Sequence, residues 1–313
     1  MIHPILHDDT RQSNSDPTAG YIRTGNSREV LRSNYANNTF HACITDPPYG
    51  MNIAEWDTHV PPVEHWQEVY RVLRPGAFCL AFCSPELYHR LATNIENAGF
   101  VIKDQIMWMT TTKMPKYNRL KPAHEPIVVA QKPYIGSLET NHATWGCGLI
   151  DTETTRVPWE KAPPKGWVAG GVKRRQFGKQ GKTTGTQEEF GTVDANPAGR
   201  YPSNIMGDVL PEHQKYFYAP RATRAEKGTE NDHPTVKPLA LMEYLVRIYT
   251  SIGAHIIDPF CGSGTTGVAA IRLHRHFVGI DIDPAYVTIA NRRCVSVTSS
   301  EGVDDTTIHN VLL

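Results

Sequence analysis

The sequence lacks the features that mark several specialised classes of protein. Its six cysteines are scattered singly and form no CxxC pair, which argues against a disulfide framework, a zinc ribbon or any other metal site. Cys43 and Cys261 are expected to be buried small hydrophobes rather than nucleophiles. The longest apolar run, Ala77 to Cys83, is far shorter than the about 20 residues that span a bilayer, and residues 1–20 are polar rather than signal-like. These absences predict a cytoplasmic protein without a membrane partner.

The sequence also lacks net charge, because its 32 basic and 32 acidic residues cancel. A protein coated in positive potential is therefore not expected. Basic residues are nevertheless concentrated in Lys113–Lys121 and Lys161–Lys182, two segments without an acidic residue. Such local bias can bind phosphate even when the whole chain is neutral. The candidate phosphate-binding residues are Lys113, Lys116, Arg119, Lys173, Arg174 and Arg175.

Apolar periodicity divides the chain into three parts between two polar tails, residues 1–20 and 297–313. Residues 21–131 and 233–296 alternate short apolar strands with amphipathic helices, the pattern of an α/β fold. Residues 132–232 lie between them, are rich in Gly, Pro, Thr and basic residues, and show no sustained period. The pattern predicts one three-layer αβα domain with a mostly parallel sheet, interrupted by an irregular insertion.

Local signals indicate where the elements begin and end. A helix is expected to start after Pro61-Pro62 and to stop before Pro75-Gly76. Ser84-Pro85 is expected to supply the N-cap and first-turn proline of a helix that Gly99 terminates. The expected strands are His41–Thr45, Ala77–Cys83, Phe100–Trp108, Ile127–Gln131, His255–Ile257 and Phe277–Ile280, and the other expected helices are Leu239–Tyr249, Thr265–Leu273 and one after Pro284.

The string Thr45-Asp46-Pro47-Pro48-Tyr49-Gly50 directly follows an expected strand, which places it at the sheet edge where doubly wound folds bind ligands. Its residue types suit an exocyclic amino group, whose nitrogen is a poor nucleophile because its lone pair is delocalised into the base. The Asp46 carboxylate and the Pro47 carbonyl can each accept one amino hydrogen, which frees the lone pair for attack on a sulfonium methyl. Two prolines fix the direction of that carbonyl, and Tyr49 offers a flat face for an extruded base. A proline-stiffened loop with an aspartate cap is the alternative interpretation.

A second motif, Asp258-Pro259-Phe260-Cys261-Gly262-Ser263-Gly264-Thr265, lies between an expected strand and an expected helix. Gly262 and Gly264 allow the backbone to approach a ligand closely at the helix N-terminus, as in nucleotide-binding turns. Asp281 ends the next strand and is positioned to accept hydrogen bonds from a ribose diol. Asp283 is expected to cap the following helix instead.

Together with His233-Pro234-Thr235-Val236-Lys237-Pro238, these motifs resemble the β-class DNA amino-methyltransferases, in which the catalytic motif precedes the cofactor motif. The resemblance covers residues 21–296 and implies a Rossmann-like fold that depends on S-adenosylmethionine. In that family the residues that match Asp46, Pro47, Pro48 and Tyr49 hold the target base. The resemblance implies these cofactor-binding residues: Asp258, Phe260, Gly262, Ser263, Gly264, Thr265, Asp281, His233, Thr235 and Lys237.

Two positions leave alternatives open. The family usually carries Gly-Asp near its start, where this chain has Gly25-Asn26. Asn26 retains an acceptor for the adenine of the cofactor but loses the charge, and a plain turn is the alternative interpretation. Lys237 is equally a candidate for a solvated charge at the start of a helix.

The insertion, residues 132–232, lies where this family arrangement places its target-recognition region. Its basic residues, glycines and tryptophans suit contact with phosphates and bases. The expected partner is double-stranded DNA in a bacterial or phage-infected cell. A homodimer and a cognate restriction nuclease are further candidate partners.

The sequence therefore predicts an enzyme that methylates the exocyclic amino group of a flipped DNA base. An aspartate at position 46 favours adenine N6, because cytosine-directed relatives more often have Ser there, and cytosine N4 is the alternative. Carbon-5 methylation is disfavoured because it needs a thiolate nucleophile and the usual Pro-Cys dipeptide is absent. A non-catalytic DNA-binding protein would be expected to have lost Asp46, Tyr49 or the glycine turn. A nicotinamide oxidoreductase would leave the DPPY string without a role.

Overall fold

The computed structural model describes residues 21–110, 117–118, 120–159, 196–207 and 236–299, and every structural statement below refers to these residues. Their strands are β1 (Tyr21–Thr24), β2 (Phe40–Thr45), β3 (Leu73–Phe82), β4 (Val101–Met109), β5 (His124–Gln131), β6 (Ile205–Gly207), β7 (His255–Asp258) and β8 (His276–Asp281). Their helices are α1 (Ser27–Asn34), α2 (Val63–Val72), α3 (Tyr88–Asn97), α4 (Leu138–Trp145), α5 (Leu239–Tyr249), α6 (Thr265–Arg272) and α7 (Pro284–Ser299). None of these helices is both long enough and apolar enough to cross a membrane.

The strands form one sheet in the order β1-β8-β7-β2-β3-β5-β4-β6. Neighbouring strands are parallel except at β5, which runs antiparallel to both β3 and β4. The predicted mostly parallel sheet is therefore confirmed. Each of the central strands β2, β3 and β5 is buried at all but one residue, as expected for strands that are covered on both faces.

Strand β3 shows how the sequence builds two cores. Its side chains alternate between the faces of the sheet, because successive residues of a strand point in opposite directions. One face carries the large residues Phe78, Leu80 and Phe82. The other face carries the small residues Ala77, Cys79 and Ala81. All of these side chains are buried, which confirms the predicted buried strand. The observed strand begins earlier than predicted, at Leu73.

Helices cover both faces of the sheet. One core contains buried residues of α1, α2 and α3, namely Leu31, Trp66, Val69, Leu91 and Ile95. The other core contains buried residues of α5, α6 and α7, namely Leu241, Leu245, Val268, Ala269 and Ala290. The predicted three-layer αβα architecture is confirmed.

The predicted start of α3 is wrong. The helix begins at Tyr88, with Leu87 at the N-cap and no side-chain hydrogen bond to the helix. A turn precedes it, because the Leu87 N–H donates to the Ser84 carbonyl at 3.2 Å. The Ser84 hydroxyl is directed towards Met51 Sδ, 3.6 Å away, and so cannot cap the helix. The predicted cap at the start of α7 is confirmed, since the Asp283 carboxylate accepts the Ala285 N–H at 2.8 Å.

Four short elements were not predicted: β1, α1, α4 and β6. Two of them, α4 and β6, lie within the 132–232 insertion, whose described part is therefore partly regular. Helix α4 has Ser137 as its N-cap and Gly146, with φ 68°, as its C-cap. Strand β6 extends the sheet by pairing in parallel with β4. Each of these four elements contains at most two consecutive apolar residues, and none borders a motif as extensive as the glycine motif that marks the end of β7.

The sheet topology brings the two sequence motifs together. Strand β2 pairs in parallel with β7, with Cys43 opposite Ile257, so both strands end at the same edge of the sheet. The DPPY string leaves β2 and the glycine turn leaves β7 at that edge. Strand β8, which ends at Asp281, lies next to β7. Ligand sites of doubly wound folds lie outside such carboxyl ends.

Candidate active site

The buried carboxylate of Asp57 shapes the loop that follows β2. Its Oδ1 accepts the backbone N–H groups of Tyr49 at 2.6 Å and Gly50 at 2.8 Å. Its Oδ2 accepts those of Met51 at 3.0 Å and Ile53 at 3.3 Å. Four donors on one carboxylate hold the chain around Tyr49 in a single conformation. Asp57 was not predicted, because nothing in the local sequence shows that the loop folds back over it.

Asp46 belongs to a buried cluster of four polar side chains. The Tyr49 hydroxyl donates to Asp46 Oδ1 at 2.6 Å and lies 3.2 Å from Glu125 Oε2. The Lys237 ammonium donates to Asp46 Oδ2 at 2.6 Å and lies 3.5 Å from Glu125 Oε2. It also lies 3.3 Å from the Tyr49 oxygen. We call Asp46, Tyr49, Glu125 and Lys237 the acidic tetrad.

The surroundings decide the ionisation of two members of the acidic tetrad. Burial lowers the pKa of Lys237, but the charges of Asp46 and Glu125 outweigh that effect, and the pKa is raised above its usual value. Burial and the same two carboxylates raise the pKa of Tyr49 well above its usual value. Lys237 is therefore a cation at neutral pH, and Tyr49 is a neutral hydrogen-bond donor.

The acidic tetrad differs from the predicted set of residues in two members. Lys237 was predicted to bind the cofactor, but its ammonium lies on Asp46, in the catalytic half of the site. Glu125 was not predicted. The available signal was an acidic residue near the start of the apolar strand β5, where it is 5% exposed. Buried charges need partners, and that requirement could have marked Glu125 as a candidate.

The glycine turn leads from β7 into α6. The Gly262 N–H donates to Asp281 Oδ2 at 2.8 Å, which ties the turn to the end of β8. Gly262 and Gly264 have φ values of 48° and 81°, in the left-handed region that favours glycine. A Cβ at Gly264 would lie 2.8 Å from the Ala290 Cβ of α7, so the backbone also needs a small residue here. These requirements explain both glycines of the motif.

An arginine of α7 holds the other side of the glycine turn. Arg293 Nη1 donates to the Ser263 carbonyl at 2.6 Å, to Ser263 Oγ at 3.0 Å and to Thr265 Oγ1 at 3.2 Å. The predicted cofactor residues Ser263 and Thr265 thus already have partners through their side chains. Both still line the cavity described below.

Asp258 connects the two motifs. Its Oδ1 accepts the Thr45 hydroxyl at 2.7 Å and the Phe260 N–H at 3.1 Å, and its Oδ2 accepts the Thr266 hydroxyl at 2.7 Å. Burial raises the pKa of this carboxyl to about 7, against the opposing effect of those three hydrogen bonds. Asp258 was predicted to bind the cofactor. Its contacts brace β2, the glycine turn and α6 against one another, and its role towards a cofactor stays a prediction.

One cavity of ≈ 370 Å³ connects the acidic tetrad to the glycine turn. Its volume is in the range of small-molecule sites, roughly 300–1,000 Å³. The predicted residues on its wall are Asn26, Asp46, Pro47, Pro48, Tyr49, Lys237, Asp258, Phe260, Gly262, Ser263, Thr265 and Asp281. The structure thus brings together the residues of both motifs.

Aromatic rings line the part of the cavity nearest the glycine turn. The His65 ring lies 4.7 Å from that of Phe260, and both residues face the cavity. Burial lowers the pKa of His65 to about 4, so its ring is neutral at neutral pH. Two flat neutral rings thus lie on the cavity wall together with the glycine turn and Asp281. His65 was not predicted, because one histidine in an amphipathic helix carries no sequence signal.

Asn26 lies at the same wall. Its side-chain oxygen accepts the Arg28 N–H at 3.1 Å and caps α1. The preceding Gly25 N–H donates to the Asp281 carbonyl at 2.9 Å, which brings this turn beside β8. A turn, which was one of the two interpretations of Gly25-Asn26, is present. A role of Asn26 in cofactor binding stays a prediction.

Several predicted residues lie outside the described part of the chain. These are the cofactor candidates His233 and Thr235 and the DNA-contact candidates Lys113, Lys116, Arg119, Lys173, Arg174 and Arg175. Their roles stay predictions.

Two curated relatives of the chain are type II methyltransferases of bacteria. The chain is 24% identical over 302 residues to the type II methyltransferase M.HindIII of Haemophilus influenzae, which covers 82% of this chain and 89% of that protein. Over a shorter segment of 61 residues it is 52% identical to M2.DpnII of Streptococcus pneumoniae, which covers 20% of this chain and 23% of that protein.

Solved structures share the fold. The complex of M1.HpyAVI with SAM has a TM-score of 0.51 at 23% identity and covers 87% of this chain and 98% of that chain. The cytosine-N4-specific PvuII DNA methyltransferase has a TM-score of 0.54 at 15% identity and covers 96% of this chain and 94% of that chain. At these identities the likeness shows a common architecture.

The family match covers both halves of the site. Residues 40–292 match the family N6_N4_Mtase, described as DNA methylase. The matched span contains Asp46, the glycine turn and Asp281, which together line the cavity. The chain therefore belongs to the N6_N4_Mtase family of DNA methylases.

Proposed function

We propose that this DNA amino-methyltransferase transfers a methyl group from S-adenosylmethionine to N6 of an adenine flipped out of duplex DNA. The observation that carries the proposal is the single cavity that Asp46 and Gly262 both line. It places an acceptor for an amino group and a turn suited to a nucleoside cofactor around one space. Cytosine N4 is the alternative target, because its amino group can meet the same acceptors.

The residues after β2 activate the amino nitrogen. The Asp46 carboxylate and the Pro47 carbonyl accept the two amino hydrogens, so the lone pair leaves conjugation with the ring. S-adenosylmethionine, when bound, supplies a methyl carbon made electrophilic by the positive charge on its sulfur. Asp46 Oδ1 then takes the one proton that the methylated nitrogen loses and releases it to water. The Tyr49 ring, held by its hydroxyl, provides a face on which the base stacks.

The second half of the cavity holds the cofactor in this proposal. Gly262 lets the methionine part approach the N-terminus of α6. Phe260 and His65 provide aromatic faces for the adenine ring. The Asp281 carboxylate accepts two backbone N–H groups, from Gly262 and Asp283, and a carboxylate has further lone pairs for a ribose diol.

The choice of target base and the proposed binding partners are inferred from the sequence. Adenine is preferred over cytosine because of the aspartate at position 46. Double-stranded DNA is the proposed partner, contacted by the basic residues of the segments 113–121 and 161–182. A homodimer and a cognate restriction nuclease are further proposed partners.

The test is methylation of mixed-sequence duplex DNA with labelled S-adenosylmethionine, followed by mass spectrometry of the nucleosides. The expected product is N6-methyladenine. Methyl groups found only at cytosine N4 would overturn the choice of base and leave the mechanism intact. No methylated nucleoside, together with tight binding of NAD, would refute the proposed function.

Replacing Asp46 tests the mechanism. Asp46→Ala is expected to bind S-adenosylmethionine with nearly unchanged affinity and to lose at least about a hundredfold in turnover, the range for removal of a positioned acceptor. Asp46→Asn is the matched control, because it keeps the side-chain shape and one acceptor but removes the charge. Calorimetric titration measures binding, and initial rates measure turnover. An alanine variant with wild-type turnover would contradict the role of Asp46.

A further inference from the structure

The acidic tetrad contains two acids and one base, all largely buried. The side chains of Lys237 and Glu125 are each 7% exposed, and that of Asp46 is 20% exposed. Lys237 lies between the two carboxylates, 2.6 Å from Asp46 and 3.5 Å from Glu125. The formal charge of the tetrad is therefore minus one. Charges in such a poorly solvated place act strongly on one another and on a bound substrate.

Tyr49 and Cys83, which lie beside these charges, add none of their own. Tyr49 is neutral, and burial raises the pKa of Cys83 to about 12, so its thiol is neutral as well. The Asp57 carboxylate is shared among four backbone N–H groups. Asp258 lies farther along the cavity, where two hydroxyl groups and one N–H group hold it. Lys237 reaches both Asp46 and Glu125 and is therefore a base that they share.

Methyl transfer moves a positive charge towards the tetrad. The bond between the methyl carbon and sulfur breaks with both electrons on sulfur, which becomes a neutral thioether. The amino lone pair forms the new bond to carbon, and the nitrogen is cationic until it loses one proton to Asp46. If Asp46 and Lys237 were alone, their charges would cancel and the ammonium would repel the developing cation. With Glu125 present, one negative charge remains uncompensated at the nitrogen.

We propose that Glu125 is a positioning residue for methyl transfer, which balances Lys237 so that the charge of Asp46 remains available to the cationic nitrogen. This inference rests on the proposed function. Its geometric basis is that Glu125 reaches both Lys237 and Tyr49, the two residues that hold Asp46. Glu125 makes no contact with the reacting atoms in this scheme. It acts through Lys237.

A second substitution that restores the net charge of the tetrad tests the proposal. Glu125→Gln removes one negative charge and is expected to slow single-turnover methylation at least about tenfold, with little change in the Kd for S-adenosylmethionine or DNA. The double variant E125Q/K237M returns the tetrad to a formal charge of minus one. It is expected to be at least about fivefold faster than E125Q and within about tenfold of the wild type. A purely structural role would make the double variant the slowest of all.

Glu68→Gln is the matched control. Glu68 is another buried glutamate, on α2, paired with Arg32 at 3.1 Å and Arg71 at 2.8 Å, and none of these three residues lines the cavity. Its substitution is expected to lower the melting temperature and to leave the single-turnover rate unchanged. Glu125→Asp keeps the charge and is expected to retain more of the rate than E125Q.

The outcomes separate the two proposals. Wild-type protein that methylates DNA, with E125Q at the wild-type rate, would overturn only the role of Glu125. A double variant as slow as E125Q or slower would do the same. If E125Q alone does not fold, a folded double variant more than about tenfold slower than the wild type would overturn the role of Glu125. Wild-type protein that transfers no methyl group to DNA would overturn both proposals.

Discussion

At the scale of single residues, the site depends on buried carboxyl groups with different tasks. Asp57 shapes a loop, Glu125 balances a lysine, and Asp46 faces the cavity. Asp258 is the brace between the motifs, with a pKa raised to about 7. An acid whose pKa is higher in the folded state binds its proton more tightly there than in the unfolded chain. Its contribution to stability is then full below the unfolded value, near 4, and is lost as the pH rises through about 7.

Asp258 should therefore make stability depend on pH within that window. We expect the melting temperature of the wild type to fall between pH 4.5 and 7.5 relative to that of the Asp258→Asn variant, whose side chain cannot ionise. The corresponding change in the free energy of unfolding is on the order of a few kcal/mol. Thermal unfolding of both proteins across the window measures it. A difference between the two proteins that stays constant with pH would contradict the raised pKa.

At the scale of elements, the start of α6 depends on backbone geometry. Gly264 has a left-handed φ of 81° and packs against Ala290 of α7. Gly253 has a similar φ of 77°, but nothing lies within 4 Å of a Cβ built there. The two glycines thus share the backbone strain that an alanine would cause and differ in the steric contact.

We expect Gly264→Ala to lower the melting temperature more than Gly253→Ala. Both variants carry a left-handed penalty of about 1–2 kcal/mol, and only the first also pushes α6 away from α7. The displaced turn should weaken binding of S-adenosylmethionine at least about tenfold in Gly264→Ala alone. Differential scanning fluorimetry and calorimetric titration give the two quantities. Equal effects of the two substitutions would show that the contact with Ala290 is unimportant.

At the scale of the whole molecule, the chain combines zero net charge with local basic segments. We therefore propose that DNA is bound by those segments rather than by a general positive field. Each phosphate contact contributes about 0.9 to the slope of log affinity against log salt concentration.

We expect the triple variant K173A/R174A/R175A to bind duplex DNA with a salt slope smaller by about 2–3, and to bind S-adenosylmethionine normally. The matched control R90A/K103A/R292A removes the same charge from exposed positions on α3, β4 and α7. It is expected to keep the wild-type slope. Fluorescence anisotropy between 50 and 200 mM salt, the range over which such contacts act, measures both. Equal slopes in the two triple variants would contradict the assignment of the 161–182 segment.

Much of the fold and part of the site could be predicted from the sequence. Helix α5 was predicted with its observed bounds, Leu239–Tyr249, because it has strong apolar periodicity and a proline before it. Strand β2, which Asp46 directly follows, was predicted with its observed end and with a start one residue late. The strand β1 was missed, because its four residues include an arginine and a threonine and become a strand only by pairing with β8.

The local order of residues determined the α/β architecture and the positions of the DPPY and glycine motifs, because periodicity, caps and turns depend on neighbours in the chain. Only the tertiary structure decided which charges surround Asp46. Lys237 lies 191 positions from Asp46, and Glu125 lies 76 positions from Tyr49. The order of residues along the chain does not show that these side chains lie close together in space. These contacts arise because the start of β5, which runs antiparallel to β3 one strand away from β2, and the segment before α5 reach the carboxyl end of β2, where buried charges must find partners.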